Sequence, residues 1–224
     1  RELVKKRSQR VPVSYLTNSK EFRSLDFYVD ESVLIPRPET EVLVETVLKD
    51  QSENRRILDI GTGSGAIAIS IAKDRPDWEI FATDVLPEVI EVATQNAERH
   101  GLKEQITFLQ GTLFEPIDSS LRFDWIVSNP PYIASDKFDS LMPEVREHEP
   151  RIALDGGEDG LDLIRSLVDE AHSFLIPEGK TAIEIGFDQG GAVRNLFESN
   201  PAYTECSVIR DYSNNDRVVI ASKG

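Results

Sequence analysis

From Ile57 onward, short runs of β-branched and aromatic residues alternate with stretches whose apolar residues recur at helical spacing, which leaves few folds open. The β-type runs are 57–60, 80–83, 106–109, 123–128, 181–185, 207–210 and 217–221. Between them lie helical patterns: Val89, Val92, Ala93 and Ala97 in one, closed by Gly101, and Leu161, Ile164, Leu167, Val168, Ala171, Phe174 and Leu175 in another. Such spacing gathers the apolar side chains on one helix face, and a glycine just past the last of them is a common stop. Strand–helix–strand repeats close with right-handed crossovers into a parallel sheet covered on both faces. The last two strands are joined only by Asp211-Tyr212-Ser213-Asn214-Asn215-Asp216, too short for a crossover helix, so they are expected to pair antiparallel. The expected fold is α/β, a doubly wound, seven-stranded, mainly parallel sheet.

Ahead of this alternation, the stretch from Glu21 to Asp30 alternates apolar and polar residues around a turn and predicts a short hairpin. Two prolines then flank Arg37 and make a stiff extended loop. Glu39 and Glu41 suit the first turn of the helix that follows, whose inner side carries Val44, Val47 and Leu48. Arg37 is either a solvated loop cation or a side chain facing a ligand. Arg1 to Arg10 form a basic cluster in which Leu3 and Val4 begin an apolar stripe without a cap, as at the end of a helix that starts further upstream. A length of 224 residues suits one large α/β domain, or such a domain with a small appendage.

Three strand ends carry chemistry. The first strand runs through Leu58-Asp59-Ile60 into Gly61-Thr62-Gly63-Ser64-Gly65 and directly into a helix. Glycines there let the backbone turn sharply beside a ligand, and the helix N-terminus offers oriented N–H groups. The second strand ends at Asp84, about twenty residues beyond the glycines, where a carboxylate can accept both hydroxyls of a ribose. This pair fits a dinucleotide or an adenosine-containing cofactor. The third strand runs into Gln110-Gly111-Thr112-Leu113-Phe114, where an adenine edge is expected, with Leu113 and Phe114 either as apolar walls or as core. The fourth strand stops at Asn129-Pro130-Pro131-Tyr132. Two prolines end strand pairing and leave rigidly aimed carbonyls, Asn129 adds an acceptor and a donor, and Tyr132 adds a flat face. Such a corner can grip a planar group bearing an NH2.

The glycine loop resembles the first motif of S-adenosylmethionine-dependent methyltransferases. Phe-Arg-Ser-Leu-Asp-Phe, Ile-Pro-Arg-Pro-Glu-Thr-Glu, Asn-Pro-Pro-Tyr-Ile, Glu-Pro-Arg-Ile-Ala-Leu-Asp-Gly-Gly-Glu-Asp-Gly-Leu and Glu-Ile-Gly-Phe-Asp-Gln follow one another in this order. Together they resemble the HemK/PrmC family, the protein-(glutamine-N5) methyltransferases that modify peptide-chain release factors, from about Pro12 to Ala221. The resemblance implies a Rossmann-like class I methyltransferase domain at 37–224, preceded at 1–36 by the remnant of an N-terminal helical domain with its linker hairpin. It implies S-adenosyl-L-methionine as cofactor, S-adenosyl-L-homocysteine as product, and a release-factor glutamine as methyl acceptor. Asn129, Pro130 and Tyr132 then carry catalysis, with Asn129, Pro130, Pro131 and Tyr132 holding the substrate. Gly61, Thr62, Gly63, Ser64, Gly65, Asp84, Leu113 and Asn129 hold the cofactor, and no metal is expected. The sequence departs from the family pattern at Leu16-Thr17-Asn18-Ser19, where a glycine is usual, and at Thr112, where many relatives carry an acid. The acidic stretch from Glu144 to Gly160 is either a loop bordering the substrate or a solvated connection.

Charge weighs the alternatives. An adenine-N6 nucleic-acid methyltransferase would use the same corner on a flipped base. A net charge of −15 opposes unaided binding to a phosphate backbone, so no direct nucleic-acid partner is expected. A non-enzymatic cofactor-binding module would have no use for the intact corner beside the glycine loop. No apolar run reaches the length of a membrane span and no signal peptide opens the sequence, which points to the cytoplasm and away from membranes. Cys206 is the single cysteine, which excludes an intramolecular disulfide and a cysteine metal cluster and leaves a structural thiol on a strand. His100, His148 and His172 read as surface histidines.

Overall fold

A computed structural model describes residues 2–224, and Arg1 of the basic cluster lies outside the described residues. The chain opens with two short helices, α1 (Glu2–Ser8) and α2 (Val13–Thr17). A two-stranded hairpin follows, β1 (Lys20–Phe22) and β2 (Leu25–Phe27), its turn made by Arg23 and Ser24 at φ 49° and 58°. Positive φ at both turn residues matches the twist of a tight hairpin. Phe22 and Phe27 are fully buried in the same core as α3 (Glu41–Leu48), so the hairpin packs directly onto the main body.

The large sheet is built from β3 (Arg56–Ile60), β4 (Glu79–Asp84), β5 (Ile106–Gln110), β6 (Phe123–Ser128), β7 (Leu175–Glu184), β8 (Tyr203–Arg210) and β9 (Asp216–Lys223). Helices α4 (Ala66–Asp74), α5 (Pro87–Arg99), α6 (Pro143–His148), α7 (Asp162–Ala171) and α8 (Gly190–Ser199) fill the connections. Strand order is β5-β4-β3-β6-β7-β9-β8. β9 runs antiparallel to both β7 and β8, and the remaining neighbours are parallel. This is the doubly wound, mainly parallel sheet expected from the alternation, with its final two strands antiparallel as their short connection required.

Strand alternation splits the apolar residues between two cores. Ile57 faces α3, α4 and α5, whereas Leu58 and Ile60 face α7 and α8. Gly101, at φ 70°, ends α5 where the sequence placed its stop. β7 starts six residues earlier than its periodic run, because Ile176–Gly179 form an irregular excursion between pairing at Leu175 and pairing at Lys180. β8 likewise begins at Tyr203, and Cys206 sits half-buried within it, its thiol pushed up to about 11 by burial. His100 and His148 pair with the backbone oxygens of Asp26 and Gln9.

The strand order reverses direction between β3 and β6. In an open α/β sheet the crevice at the carboxyl ends of such a pair is where ligands bind. The glycine loop follows β3 and the Asn-Pro-Pro-Tyr corner follows β6, so both constellations meet at this point.

Candidate active site

The loop between β3 and α4 is held by backbone bonds to the next strand: Gly61 and Thr62 both donate to the carbonyl of Thr83 at 2.9 Å. Gly63 and Gly65 adopt φ of 56° and 82°, the left-handed region that glycine enters without steric cost. They do different work. A Cβ on Gly63 would meet nothing within 4 Å, so that side of the loop is open, whereas one on Gly65 would come 2.8 Å from Ile69 Cδ1 and 3.4 Å from Ala93 Cβ. Gly65 is therefore where α4 closes against α5. Behind the loop, the fully buried Asn96 of α5 donates to the Ser64 carbonyl at 2.8 Å and exchanges two bonds with the backbone of Tyr28.

Two acids stand at the ends of these strands. Asp84 accepts the N–H of Gly63 at 3.0 Å, and burial raises its pKa. Asp59 is fully buried one strand over, its Oδ2 accepting from the Thr62 hydroxyl at 2.7 Å and its Oδ1 without a hydrogen-bond partner among the described residues. Burial pushes Asp59 up to about 7.

The corner after β6 is anchored from below by Ser128, whose hydroxyl donates to the Ile60 carbonyl at 2.7 Å. Asn129 Nδ2 donates to the Thr40 hydroxyl at 3.1 Å, and among the described residues nothing bonds its Oδ1. Beyond the corner, Ile133 forms a parallel bridge with Asp155, and Gly156 lies so close to the Pro131 carbonyl that a Cβ there would come within 2.7 Å. The stretch from Glu144 to Gly160 is thus tied to the corner, and Arg151, Ile152 and Asp155 from it line the same cavity. Arg37 also lines it, so it faces the cavity, and it pairs at 2.5 Å with the buried Glu149 while water still reaches its guanidinium.

These elements surround one cavity of about 910 Å³, within the range of small-molecule sites. Gly61, Thr62, Gly63, Ser64, Asp84, Leu113, Asn129, Pro130 and Pro131 all line it. Leu113 does so at φ 50°, while Phe114 turns into the core and stacks on Phe174 with ring centroids 4.7 Å apart. Two expected site residues lie elsewhere. Gly65 faces the α4–α5 contact. Tyr132 does not line the cavity; its ring packs on the core and its hydroxyl reaches Glu184 Oε1 at 3.4 Å.

Residues 38–158 match the family described as Methyltransferase small domain. The chain is 45% identical over 219 residues to the release factor glutamine methyltransferase of Geobacter sulfurreducens, covering 98% of this chain and 76% of that protein. It is 46% identical over 222 residues to the protein of the same name from Moorella thermoacetica, covering 98% and 78%. The chain belongs to the release factor glutamine methyltransferases. A methyltransferase from Pyrococcus furiosus shares the fold, with a TM-score of 0.69 at 21% identity and 98% of each chain covered.

Thr40, Asp59 and Glu184 stand inside motifs read from the sequence, but their partners and that of Asn96 behind the site escape sequence reading. Asp59 was visible as the acid opening the glycine motif, and its burial could have been read from the apolar run around it. Thr40, Asn96 and Glu184 stand in helical or strand contexts with no local mark of their partners.

Proposed function

We propose that this chain transfers a methyl group from S-adenosylmethionine to the side-chain amide nitrogen of the glutamine in the Gly-Gly-Gln motif of peptide-chain release factors. The residues fit the cofactor: the open face of the glycine loop at Gly61 and Gly63 leaves room for its amino-acid part. Asp84 would take the ribose hydroxyls, and Leu113 would lie along the adenine. When bound, S-adenosylmethionine supplies an electrophilic methyl on a sulfonium and leaves as S-adenosylhomocysteine.

An amide nitrogen is a poor nucleophile because its lone pair is delocalised into the carbonyl. The corner answers this by position. The Asn129 Oδ1 and the Pro130 carbonyl would accept the two N–H hydrogens of the glutamine and so aim its nitrogen at the methyl. As the N–C bond forms, the nitrogen gains positive charge, and two aimed acceptors stabilise that charge more than they stabilise the neutral amide. The N-methylated amide is then a strong acid and passes its extra proton to solvent water, so no strong base is needed. The observation that carries the reading is the Asn129 amide, whose donor end is engaged by Thr40 while its acceptor end is not.

The test offers purified release factor and duplex DNA in parallel to the protein with methyl-labelled S-adenosylmethionine. Label on the glutamine of the factor is the expected result. Label on DNA adenine with none on the factor would overturn it in favour of a nucleic-acid methyltransferase.

A further inference from the structure

We propose that Ile152 and Phe187 form an apolar rim that seats the glutamine-bearing loop of the release factor; this rests on the function proposed above. Both belong to stretches that the chemistry of the corner leaves unused, Glu-Pro-Arg-Ile-Ala-Leu and Glu-Ile-Gly-Phe-Asp-Gln. Their side chains are 55% and 67% exposed, although isoleucine and phenylalanine are residues that a fold ordinarily buries. A lone exposed apolar residue needs no explanation, whereas two clasped to one reactive corner make a surface.

Gln189 closes the turn after β7 that carries Phe187. Its Oε1 accepts the Gly186 N–H at 2.8 Å, and its Nε2 donates to the carbonyls of Tyr132 at 2.9 Å and Gly160 at 3.3 Å. Asp188, beside Phe187, pairs with Lys137 at 2.9 Å. The ring of the next residue, Phe138, lies under the Arg151 guanidinium at 4.7 Å, and Arg151 pairs with Asp155 at 3.0 Å. Asp155 accepts the Ser135 hydroxyl at 2.7 Å and bridges Ile133. Ile152, next to Arg151, lines the cavity itself. Phe187 and Ile152 are thus joined through residues 132–138, the segment that leads directly out of Asn129-Pro130-Pro131.

The chemistry of the rim selects its occupant. A side-chain amide reaches Asn129 and Pro130 only when the backbone that carries it lies across the cavity mouth, within the length of a glutamine side chain. The residues flanking that glutamine then meet what the mouth presents. Lys137 and Arg151, the cations of this rim, are engaged by Asp188 and Asp155, so it offers apolar surface rather than free positive charge. A phosphate backbone finds no counter-charge there. Apolar side chains beside a protein glutamine do find partners, in Ile152 and Phe187.

The experiment measures KM and kcat for methylation of a release factor by wild type, Ile152→Ser, Phe187→Ser, the double variant and Phe187→Leu, at low and at about 0.5 M salt. S-adenosylhomocysteine affinity, Tm and sedimentation of the protein alone are followed alongside. KM for the factor is expected to rise roughly 10-fold in each serine variant and further in the double variant, as when an apolar anchor of an interface is truncated. Phe187→Leu returns KM to within about threefold of wild type. At saturating factor kcat stays within about threefold, because the lost contact is made equally before and during the reaction. Cofactor affinity and Tm hold, since both side chains project from the fold. The rise in KM is the same at both salt concentrations. A wild-type KM in the double variant overturns the proposal, as does a rise confined to low salt, which would mark an ionic contact. A wild-type dimer that the double variant dissociates assigns the rim to a second copy of this chain and overturns it too. Should a serine variant unfold, Ile152→Gln and Phe187→Gln replace it, with the same rise expected. Wild type that methylates DNA and not the factor overturns the functional reading itself, a result visible before any variant is made.

Discussion

The carboxylate of Asp84 at the end of β4 accepts the backbone N–H of Gly63 at 3.0 Å, which ties the acid that ends one strand to the glycine loop that follows the strand beside it. The loop is therefore held in shape by the same group assigned to the ribose. Asp84→Asn keeps the size but loses the charge, and a hydrogen bond to a charged group is worth about 1.5–3 kcal/mol. We expect S-adenosylhomocysteine affinity to fall by roughly 10- to 100-fold, measured by titration calorimetry, with Tm nearly unchanged. Unaltered affinity would remove Asp84 from the site.

Gly63 and Gly65 separate conformation from packing. Gly65→Ala adds backbone strain at φ 82° and drives a methyl to 2.8 Å from Ile69 Cδ1, so a loss of about 2–4 kcal/mol is expected in urea unfolding at constant m-value. Gly63→Ala meets open space and should cost about 1–2 kcal/mol, from strain alone. Its larger effect falls on cofactor affinity, because the new methyl stands on the side of the loop open to the ligand. Equal destabilisation by the two would refute the division.

Arg37 and Glu149 form an ion pair across 112 residues, and the Glu149 side chain is 2% exposed against 32% for Arg37. Ile35 also donates to the second carboxylate oxygen at 3.3 Å, which fixes the stiff loop that Arg37 stands on. Arg37→Met strands a buried carboxylate. The expected cost is about 2 kcal/mol, below the 3–5 typical of a fully buried pair because water reaches the guanidinium. Adding Glu149→Leu should recover at least about half of that loss, since it removes the stranded charge. A double variant as unstable as the sum of its parts would show that the pair is not coupled.

The sheet was legible because its signals are local. Period-two runs, helical stripes, Gly101 as a stop and a six-residue final connection each speak within a few residues of themselves. The glycine loop and the Asn-Pro-Pro-Tyr corner were legible for a related reason: glycine and proline change the backbone at their own positions. What was missed depends on distance along the chain. Asn129 meets Thr40 across 89 residues, Tyr132 meets Glu184 across 52, and Asn96 meets Tyr28 across 68. No pattern near any of these names its partner.

Asp59 makes stability depend on pH in a direction opposite to that of an ordinary paired carboxylate. Its Oδ2 takes the Thr62 hydroxyl, its Oδ1 has no hydrogen-bond partner among the described residues, and burial pushes it from the ordinary 3.8 up to about 7. Between those two values the folded chain holds a proton that the unfolded chain has lost. Linkage then makes the contribution complete below about 4 and lost as pH rises through about 7. We expect Tm of the ligand-free protein, followed by calorimetry, to fall between pH 5 and pH 8. Each kcal/mol lost corresponds to about 2–4 °C in a chain of this size. Asp59→Asn removes the titration while keeping an acceptor for Thr62, so its Tm should fall less over the same interval. Glu184 titrates in the same window and keeps part of the slope in the variant, for its buried carboxyl is raised by the same cause. A variant whose Tm falls as steeply as that of wild type would show that Asp59 is ionised in the folded state throughout, and that its burial is compensated from elsewhere.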